Sequence, residues 1–301
     1  MPTARVATAP SLARSMRLTL SPFRYGSSDP TTWLTPNEFV RATLTPDGPG
    51  TIRIAWNTDD LDVAAWGDGA SWLLGRVGAF TGADDVTVEL PDVHPVVTRA
   101  VRDHPGLRVG ASGSLFHELL PTIIAQRITS GEAIRQWYRL CMELGDPAPG
   151  PFSRLRLPPS PAALTRRPAW WFHPLGIETK RARALTEVAA HADRLWEWTT
   201  GGADVVAARL ALLRGIGPWT IGSVLGPALG DPDAVAVGDY HLANMVAWTL
   251  AAEPRATDDR MLELLEPYRG QRGRVIRLIG LSGARAPAFG PRKRILPMHR
   301  W

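Results

Sequence analysis

The sequence contains very little cysteine and very little lysine. Its 301 residues include one cysteine, Cys141, which excludes an intramolecular disulfide, a four-cysteine zinc site and a cysteine-ligated iron–sulfur cluster. Of the 34 basic residues, only Lys180 and Lys293 are lysines. Catalysis through a lysine Schiff base therefore has few candidates, whereas the abundant arginines are suited to bidentate contacts with phosphates.

Long apolar runs and metal-ligand spacings are also missing. No 18 apolar residues follow one another, and the N-terminal residues form no uninterrupted apolar segment, so we expect neither a membrane span nor a signal peptide. The seven histidines show no pairing at metal-ligand spacing, so we expect no metal held by side chains. These absences predict a soluble, cytoplasmic protein.

The charge and the length suggest the kind of partner and the number of domains. The formal charge is +5 and the pI about 9.9, which favours a polyanionic partner but also suits many other proteins. A hydrophobic content of 45% over this length is enough for about two domains.

The periodicity of apolar residues divides the chain in two. Short alternating runs, "RLTLS", "FVRATLT", "TIRIAW" and "VTVEL", predict antiparallel strands, and the patterns at 69–82 and 94–104 predict helices among them. We therefore predict an α+β N-terminal domain, with an antiparallel sheet and helices, over residues 1–107.

Three- and four-residue apolar steps then continue, which predicts an all-α domain over residues 108–301. One of its helices is expected to start at Ser130, and a proline-rich connector at 145–175 should form a surface loop with short helical turns. The basic C-terminal tail is either disordered or an extra phosphate contact.

The segment "LLRGIGPWTIGSVL" predicts two helices joined by a tight turn. Gly215 and Gly217 allow positive φ and a close approach of the backbone, and Pro218 suits the first turn of a helix. The turn is either a simple helix C-cap or an anion site built from the free N–H groups of the next helix.

Asp239 follows 22 positions after Gly217 and precedes an apolar helix. It either caps that helix or presents a carboxylate to a site, and both can hold at once. Asp231 and Asp233 are rival carboxylates, but "GDPDA" is typical of a solvated turn.

The hairpin segment followed by "VGDYHL" resembles the helix-hairpin-helix (HhH-GPD) DNA glycosylase superfamily, and within it the DNA-3-methyladenine glycosylase II type. The likeness covers about residues 105–285 and includes "PGLRVGASGSLFHELLPTIIAQRI", "HPLGIETKRARALTEVA" and "LEPYRGQRGRVIRLI". It implies a monomeric base excision repair enzyme on double-stranded DNA, which flips out a damaged, alkylated purine and hydrolyses its N-glycosidic bond.

The resemblance also implies roles for individual residues. Asp239 is the catalytic carboxylate, and the backbone amides of Gly215, Gly217 and Thr220 bind a DNA phosphate. No cofactor is implied except a monovalent cation on the hairpin carbonyls. Because an anion stabilises the positive charge that develops on the sugar, the role of Asp239 is chemically sound.

Two aromatic residues match the substrate pocket. Trp219 occupies the position of the Schiff-base lysine in lyase members of the superfamily, and we expect neither lysine to lie near the motif, so we expect hydrolysis without strand cleavage. Its indole also suits stacking on a cationic base, although core packing is an equal alternative. Tyr240 matches a pocket aromatic.

Three residues modify or depart from the pattern of this type. Gln126 and Arg127 match the positions that fill the gap left by the flipped nucleotide, where this type has an apolar wedge. Arg127 would fill the gap with its planar guanidinium, or is a solvated arginine. Ser223 replaces another pocket aromatic. These departures keep open a second hypothesis, a non-catalytic DNA-damage or DNA-structure binding protein, and a third, an unrelated enzyme in which the hairpin is only a structural turn.

Overall fold

The structure, a computed structural model, describes residues 3–7, 10–58, 60–86 and 88–287, with side chains from residue 13 onward in those ranges. The strands within these ranges are β1 (Thr3–Ala7), β2 (Thr32–Leu34), β3 (Glu38–Thr45), β4 (Gly48–Trp56) and β5 (Asp60–Trp66). The helices are α1 (Pro10–Leu20), α2 (Ala70–Leu74), α3 (Val77–Thr81), α4 (Pro95–Asp103), α5 (Leu115–Ala125), α6 (Ser130–Leu144), α7 (Pro161–Thr165), α8 (Thr179–Ala190), α9 (Ala192–Trp198), α10 (Ala203–Leu210), α11 (Pro218–Leu229), α12 (Leu242–Ala251), α13 (Asp258–Leu265) and α14 (Arg272–Leu281). Short 3-10 helices lie at Ser21–Phe23, Ala169–Leu175 and Glu266–Tyr268.

The N-terminal part of the chain is α+β, as expected. Its strands form an antiparallel sheet in the order β1-β5-β4-β3-β2. A core of aromatic rings packs helices onto one face of this sheet, where the ring of Phe80 meets Phe23 at 5.4 Å and Phe39 at 6.1 Å.

Both faces of β3 are covered, which places polar side chains inside the protein. Val40 and Ala42 pack against Leu155 and Leu157 from the proline-rich connector. Because side chains alternate along a strand, Arg41 lies on the opposite face, where it reaches α5. The buried guanidinium of Arg41 therefore contacts the helical part of the chain.

Two of the four predicted strands are confirmed. "FVRATLT" and "TIRIAW" lie in β3 and β4. "RLTLS" was predicted as a strand but lies in α1 and the 3-10 helix that follows, because Ala13, Met16 and Leu20 recur at helical spacing on the buried face. "VTVEL" is also wrong: no described residue of this segment is in a strand, and Val86 and Val88 are exposed.

The rest of the described chain is helical, again as expected. The helices at 69–82 and 94–104 are present, the first interrupted at Gly75 and Arg76. The helix expected to start at Ser130 is capped one residue earlier by Thr129, whose side chain accepts from the N–H of Glu132. The proline-rich connector holds α7 and a 3-10 helix, but it also contributes buried residues.

Helix α5 lies at the centre of the helical core and is buried on almost every side. Each fully buried leucine or isoleucine stabilises the fold by about 1.5–3 kcal/mol, so α5 is a rigid element against which α6, α8 and α11 pack. Val97 of α4 packs with α12, α13 and α14 in a separate cluster. The expected boundary at residue 107 stays a prediction.

No helix in the described ranges is long and apolar enough to cross a membrane. The end of the basic tail, with Lys293 and the run Arg292–Arg294, lies outside the described residues.

Candidate active site

The predicted turn joins α10 to α11 and depends on Gly215. This residue has φ +84°, and an added Cβ would lie 2.8 Å from Cβ of Ala184 on α8. Both the backbone and the packing therefore require glycine here. Gly217 is instead extended (φ −109°, ψ 178°), so the expected positive φ is wrong at this position. A Cβ on Gly217 would meet no described atom within 4 Å, which leaves the backbone open to a partner.

Helix α11 begins at the turn with free donors. Pro218 occupies its first position, as expected, and needs no hydrogen-bond acceptor. The N–H groups of Trp219 and Thr220 donate to no acceptor in the described part of the chain. Free N–H groups at a helix N-terminus attract anions, and the binding of a DNA phosphate by the amides of Gly215, Gly217 and Thr220 stays a prediction.

Gln126 ties the turn to the end of α5. Its Nε2 donates to the carbonyl oxygen of Gly215 at 2.8 Å and to Oγ1 of Thr220 at 3.0 Å. The two acceptors belong to opposite sides of the turn, so one amide group holds both. The side chain predicted to fill a gap in DNA thus also fixes the shape of the hairpin.

The carbonyls of the turn have the chemistry expected for a cation site. The carbonyl of Ile216 accepts no hydrogen bond from the described residues, and that of Gly215 accepts only from the neutral amide of Gln126. Carbonyl oxygens are ligands of hard cations. The monovalent cation implied by the resemblance fits this donor set and stays a prediction.

Asp239 both caps a helix and faces the hairpin. Its Oδ1 accepts from the N–H groups of His241 at 2.8 Å and Leu242 at 3.0 Å, at the start of α12. Its Oδ2 accepts from Nε1 of Trp219 at 3.1 Å. The carboxylate thus contacts both the start of α12 and the hairpin, and donors on both oxygens fix its orientation. Its catalytic role stays a prediction.

A second glycine sets the distance between α11 and the loop that carries Asp239. A Cβ on Gly222 would lie 1.9 Å from the carbonyl oxygen of Val235, so only glycine allows this approach. The contact lies one turn of helix after Trp219 and a few residues before Asp239. It holds the two elements close enough for the indole to reach the carboxylate.

The predicted site residues share one open space of about 1040 Å³, which we call the outer cleft. All eight line it: Gln126, Arg127, Gly215, Gly217, Trp219, Thr220, Asp239 and Tyr240. The sequence reasoning missed other lining residues, among them Ile128, Glu178, Thr179, Lys180 and Val237. The roles of the eight predicted residues stay predictions, but the structure places all eight on the same surface.

Arg127 and Tyr240 project from the walls of the outer cleft. Arg127 is exposed and has φ +60°, a left-handed conformation that costs a residue with a side chain about 1–2 kcal/mol. The ring of Tyr240 is 79% exposed and packs edge-on against His241 at 4.8 Å. An exposed planar cation and an exposed aromatic ring are both able to stack on bases.

Lys180 lies closer to the hairpin than the sequence indicated. It lines the outer cleft, because α8 packs beside the turn at Ala184 and Gly215. The expectation that neither lysine lies near the motif is therefore wrong for Lys180. Lys180 is more than thirty positions from Gly215 along the chain, so nothing in the sequence indicated that the two lie close together.

The rival acidic residues lie elsewhere. Asp233 forms an ion pair with Arg272 that lowers its pKa, although burial acts in the opposite direction. Asp231 is half-buried, and neither residue lines the outer cleft. Among the described residues, no group of three or more histidine, cysteine or acidic side chains could hold a metal ion.

A second, smaller space of about 300 Å³, which we call the inner cavity, lies between the sheet and α5 and α11. Its lining residues are Pro22, Phe23, Tyr25, Asp29, Arg41, His117, Glu118, Pro121, Thr122, Ala125, Ser130, Trp137, Trp219, Ser223 and Pro227. Trp219 lines both spaces. Ser223 stands at the wall of the inner cavity, and its hydroxyl donates to the carbonyl of Trp219 at 2.7 Å.

Buried polar side chains form one wall of the inner cavity. Arg41 pairs with Glu118 at 2.6 Å, and His117 contacts the hydroxyls of Thr31 at 3.2 Å and Thr43 at 2.8 Å. Burial, aided by the charge of Arg41, lowers the pKa of His117 well below its usual value, so the ring is neutral at pH 7. Burial raises the pKa of Glu118, and the charge of Arg41 opposes this.

Sequence reasoning missed the inner cavity because its residues come from distant parts of the chain. Tyr25, Arg41 and Trp137 have no fixed spacing that links them. The only signal was a polar face on a strand that is otherwise apolar, with Arg41 and Thr43 at alternate positions of β3.

No protein-family model matches the sequence, and a search of curated proteins finds no significant match. Solved structures with the same fold do exist. A 3-methyladenine DNA glycosylase from Archaeoglobus fulgidus superposes with a TM-score of 0.70 at 16% identity, covering 94% of this chain and 99% of its own.

Two further structures are similar. An 8-oxoguanine glycosylase/lyase from Clostridium acetobutylicum, in complex with DNA, has a TM-score of 0.59 at 11% identity and covers 82% of this chain and 95% of its own. A Schizosaccharomyces pombe 3-methyladenine DNA glycosylase, in complex with abasic DNA, has a TM-score of 0.53 at 16% identity and covers 66% and 96%. The chain thus has a fold found in DNA glycosylases, both with and without lyase in their names.

Proposed function

We propose that this protein is a monofunctional DNA glycosylase, of the DNA-3-methyladenine glycosylase II type, that excises damaged, alkylated purines from duplex DNA. The observation that carries the proposal is the position of Asp239, whose carboxylate is held by Trp219 in the same cleft as the glycine hairpin. The fold, which this chain shares with solved DNA glycosylases, supports it.

In this proposal the outer cleft holds the DNA backbone. The N–H groups at the start of α11 face a phosphate, while Arg127 and Lys180 add positive charge along the same cleft. Arg127 fills the space left by the flipped nucleotide with its planar guanidinium. Such contacts release counterions, so binding weakens as salt increases.

The inner cavity receives the flipped base. It lies next to the outer cleft because Trp219 lines both, so a sugar near Asp239 would direct its base past the indole. The aromatic rings of Phe23, Tyr25, Trp137 and Trp219 offer stacking surfaces there. Flipping costs a few kcal/mol, least for a base that pairs poorly.

The chemistry is hydrolysis of the bond between C1′ of the sugar and the purine nitrogen. The bonding electron pair leaves with the base, and an alkylated purine that carries a positive charge departs neutral without needing a proton. The carboxylate of Asp239 stabilises the positive charge that develops on the sugar. The oxygen of a water molecule then bonds to C1′, and its proton is released to solvent, leaving an abasic site.

We propose that the protein does not cleave the DNA strand, because Trp219 occupies the hairpin position at which lyase members of the superfamily have their Schiff-base lysine. Lys180 is the only described lysine in the outer cleft, and it starts from α8 rather than from the hairpin. Borohydride trapping on abasic DNA is expected to yield no covalent adduct in the wild type or in Lys180→Ala. A trapped adduct that disappears in Lys180→Ala would contradict the monofunctional proposal.

The decisive test measures base release from duplexes that contain 3-methyladenine, 7-methylguanine or hypoxanthine, with strand breaks scored before and after alkali. Release followed by alkali-dependent breaks is expected for the wild type. Asp239→Asn keeps an oxygen to cap α12 and should lose excision but retain DNA binding. Asp259→Asn, an exposed acid at the start of α13, is the matched control. Tight binding of damaged DNA without release would favour the non-catalytic binder.

A further inference from the structure

The charges around the inner cavity do not balance. Two carboxyl groups and one guanidinium line it: those of Asp29, Glu118 and Arg41. Arg41 is paired with Glu118 at 2.6 Å. His117 is neutral, and Tyr25 is neutral because burial, and then the charge of Asp29, raise its pKa to about 12. Asp29 is therefore the carboxyl group of the lining that no cationic side chain of the lining balances in its ionised form.

In every described hydrogen bond of its side chain, Asp29 is the acceptor. Its Oδ1 accepts from N and Oγ1 of Thr31 at 2.9 and 2.8 Å and from Nε1 of Trp137 at 3.0 Å, and its Oδ2 accepts from the N–H of Tyr25 at 2.7 Å. This arrangement suits the ionised form, since a protonated carboxyl would need an acceptor. Burial raises the pKa of Asp29, and these hydrogen bonds oppose the increase.

Asp29 has no cationic partner among the described residues, although its side chain is only 8% exposed. A buried charge without a partner is costly, so proteins seldom keep one without a reason. The effect of the charge reaches across the cavity wall, because it also raises the pKa of Glu118. A cation entering the cavity would supply the missing partner.

We propose that Asp29 is a specificity-determining residue, whose buried carboxylate selects purines that carry a formal positive charge over neutral damaged purines. This inference rests on the proposed function, in which the inner cavity receives the flipped base. Purines alkylated at N3 or N7 carry such a charge, whereas hypoxanthine does not. The aromatic rings of the cavity act in the same direction, since their faces attract cations.

A purely structural role is the competing explanation, because Asp29 joins the N-terminal part to α6 through Trp137. The two roles differ in what they change. Loss of a structural tie lowers the active fraction of the protein, and so lowers excision of every base by the same factor. Loss of the charge changes the ratio between charged and neutral substrates.

The experiment measures kcat/KM for 7-methylguanine and hypoxanthine duplexes on the same preparation, at mildly alkaline pH, and reports their ratio. Asp29→Asn is expected to lower the ratio about tenfold, by loss of one unit charge near the base. Asp29→Ser, whose hydroxyl can accept from the Tyr25 N–H, is the second neutral variant and should lower it in the same way. Thr31→Val is the matched control, since it removes one hydrogen bond from the same carboxylate and keeps the charge, so the ratio should not change.

An unchanged ratio in both neutral variants, with base release still measurable, would overturn the inference and leave the proposed function intact. An equal fall of the ratio in Thr31→Val would also overturn it, because the effect would then come from the hydrogen-bond network. A wild-type protein that releases none of 3-methyladenine, 7-methylguanine and hypoxanthine overturns the proposed function itself, and this outcome is distinct from the others.

Discussion

The indole nitrogen of Trp219 donates a hydrogen bond to Oδ2 of Asp239 at 3.1 Å, across 20 positions of the chain. Trp219 lies in the first turn of α11 and Asp239 lies in the loop before α12, and the close contact of Gly222 with the carbonyl of Val235 keeps this loop against α11. The tryptophan thus orients the carboxylate in addition to bordering both the outer cleft and the inner cavity.

Trp219→Phe removes this donor and keeps an aromatic ring. A hydrogen bond to a charged group contributes about 1.5–3 kcal/mol, so we expect kcat for base release to fall about tenfold or more, because the carboxylate is less well oriented. The KM for damaged duplex should change little. Trp170→Phe, at a tryptophan that is 73% exposed on another surface, is the control. A higher KM with unchanged kcat would contradict this role.

Gln126→Leu removes the amide that holds both sides of the hairpin. Two hydrogen bonds are lost, and we expect the free energy of unfolding to fall by about 1–3 kcal/mol. Affinity for duplex DNA should fall as well, since the N–H groups at the start of α11 are no longer fixed. Urea unfolding and fluorescence anisotropy with labelled duplex measure the two effects.

Gln126→Glu is the matched variant for the hairpin, because it has the same size but replaces the donor by an acceptor. Its carboxylate would face the carbonyl of Gly215 and should weaken both stability and DNA binding more than the leucine does. Wild-type affinity in both variants would show that the hairpin keeps its shape without Gln126.

Substitutions at Arg127 distinguish the effect of its strained backbone on stability from the effect of its guanidinium on base release. Because its φ of +60° favours glycine, Arg127→Gly should be more stable than Arg127→Ala, by about 1 kcal/mol. Both variants lack the guanidinium and should release base more slowly than the wild type. Arg127→Lys keeps the charge without the planar group, so recovery of the rate in this variant would show that charge, and not stacking, is what matters.

His117 predicts a pH dependence of stability. Its pKa is lowered in the folded protein and is about 6.5 when unfolded, so below pH 6.5 the unfolded chain binds one more proton. Stability therefore falls as the pH decreases from about 6.5 towards the folded pKa, by up to about 1.4 kcal/mol per pH unit. Urea unfolding from mildly acidic to neutral pH measures this slope.

His117→Gln is the control for the pH dependence, since it cannot titrate. The raised pKa values of Asp29 and Glu118 act in the opposite sense: they favour folding at lower pH, and this contribution is lost as the pH rises through their folded pKa values. Subtracting the pH dependence of the variant's unfolding free energy from that of the wild type removes the contributions of Asp29 and Glu118, which both proteins share. Equal slopes in the two proteins would mean that His117 is not the group responsible.

The hairpin and its carboxylate could be predicted from the sequence because the residues concerned lie within one short segment. Gly215, Pro218, Trp219 and Asp239 each have a local signal, and the structure brings them to one cleft. Gly217 shows the limit of such reasoning, because a glycine indicates either a positive φ or a backbone that a partner can approach closely. At Gly217 the backbone is extended and open to a partner.

The sheet was predicted less well than the helices. Strands β3 and β4 have long alternating runs, whereas β2 has three residues and β5 alternates only over its first four residues before an apolar run, so neither has a clear period. The inner cavity could not be predicted at all, because Asp29, Arg41 and Glu118 meet only when the sheet packs on α5. Lys180 reaches the cleft for the same reason, through tertiary packing and not through sequence spacing.

The cap that Asp239 forms at the start of α12 has a practical use. Most ways of disabling an active-site acid also damage the scaffold, but asparagine preserves helix capping almost fully. Under the proposed function, Asp239→Asn binds a lesion without processing it, which would make it a trapping reagent. Immobilised on a support, it would enrich damaged fragments from genomic DNA, and the lesions it retains would report directly what this protein recognises.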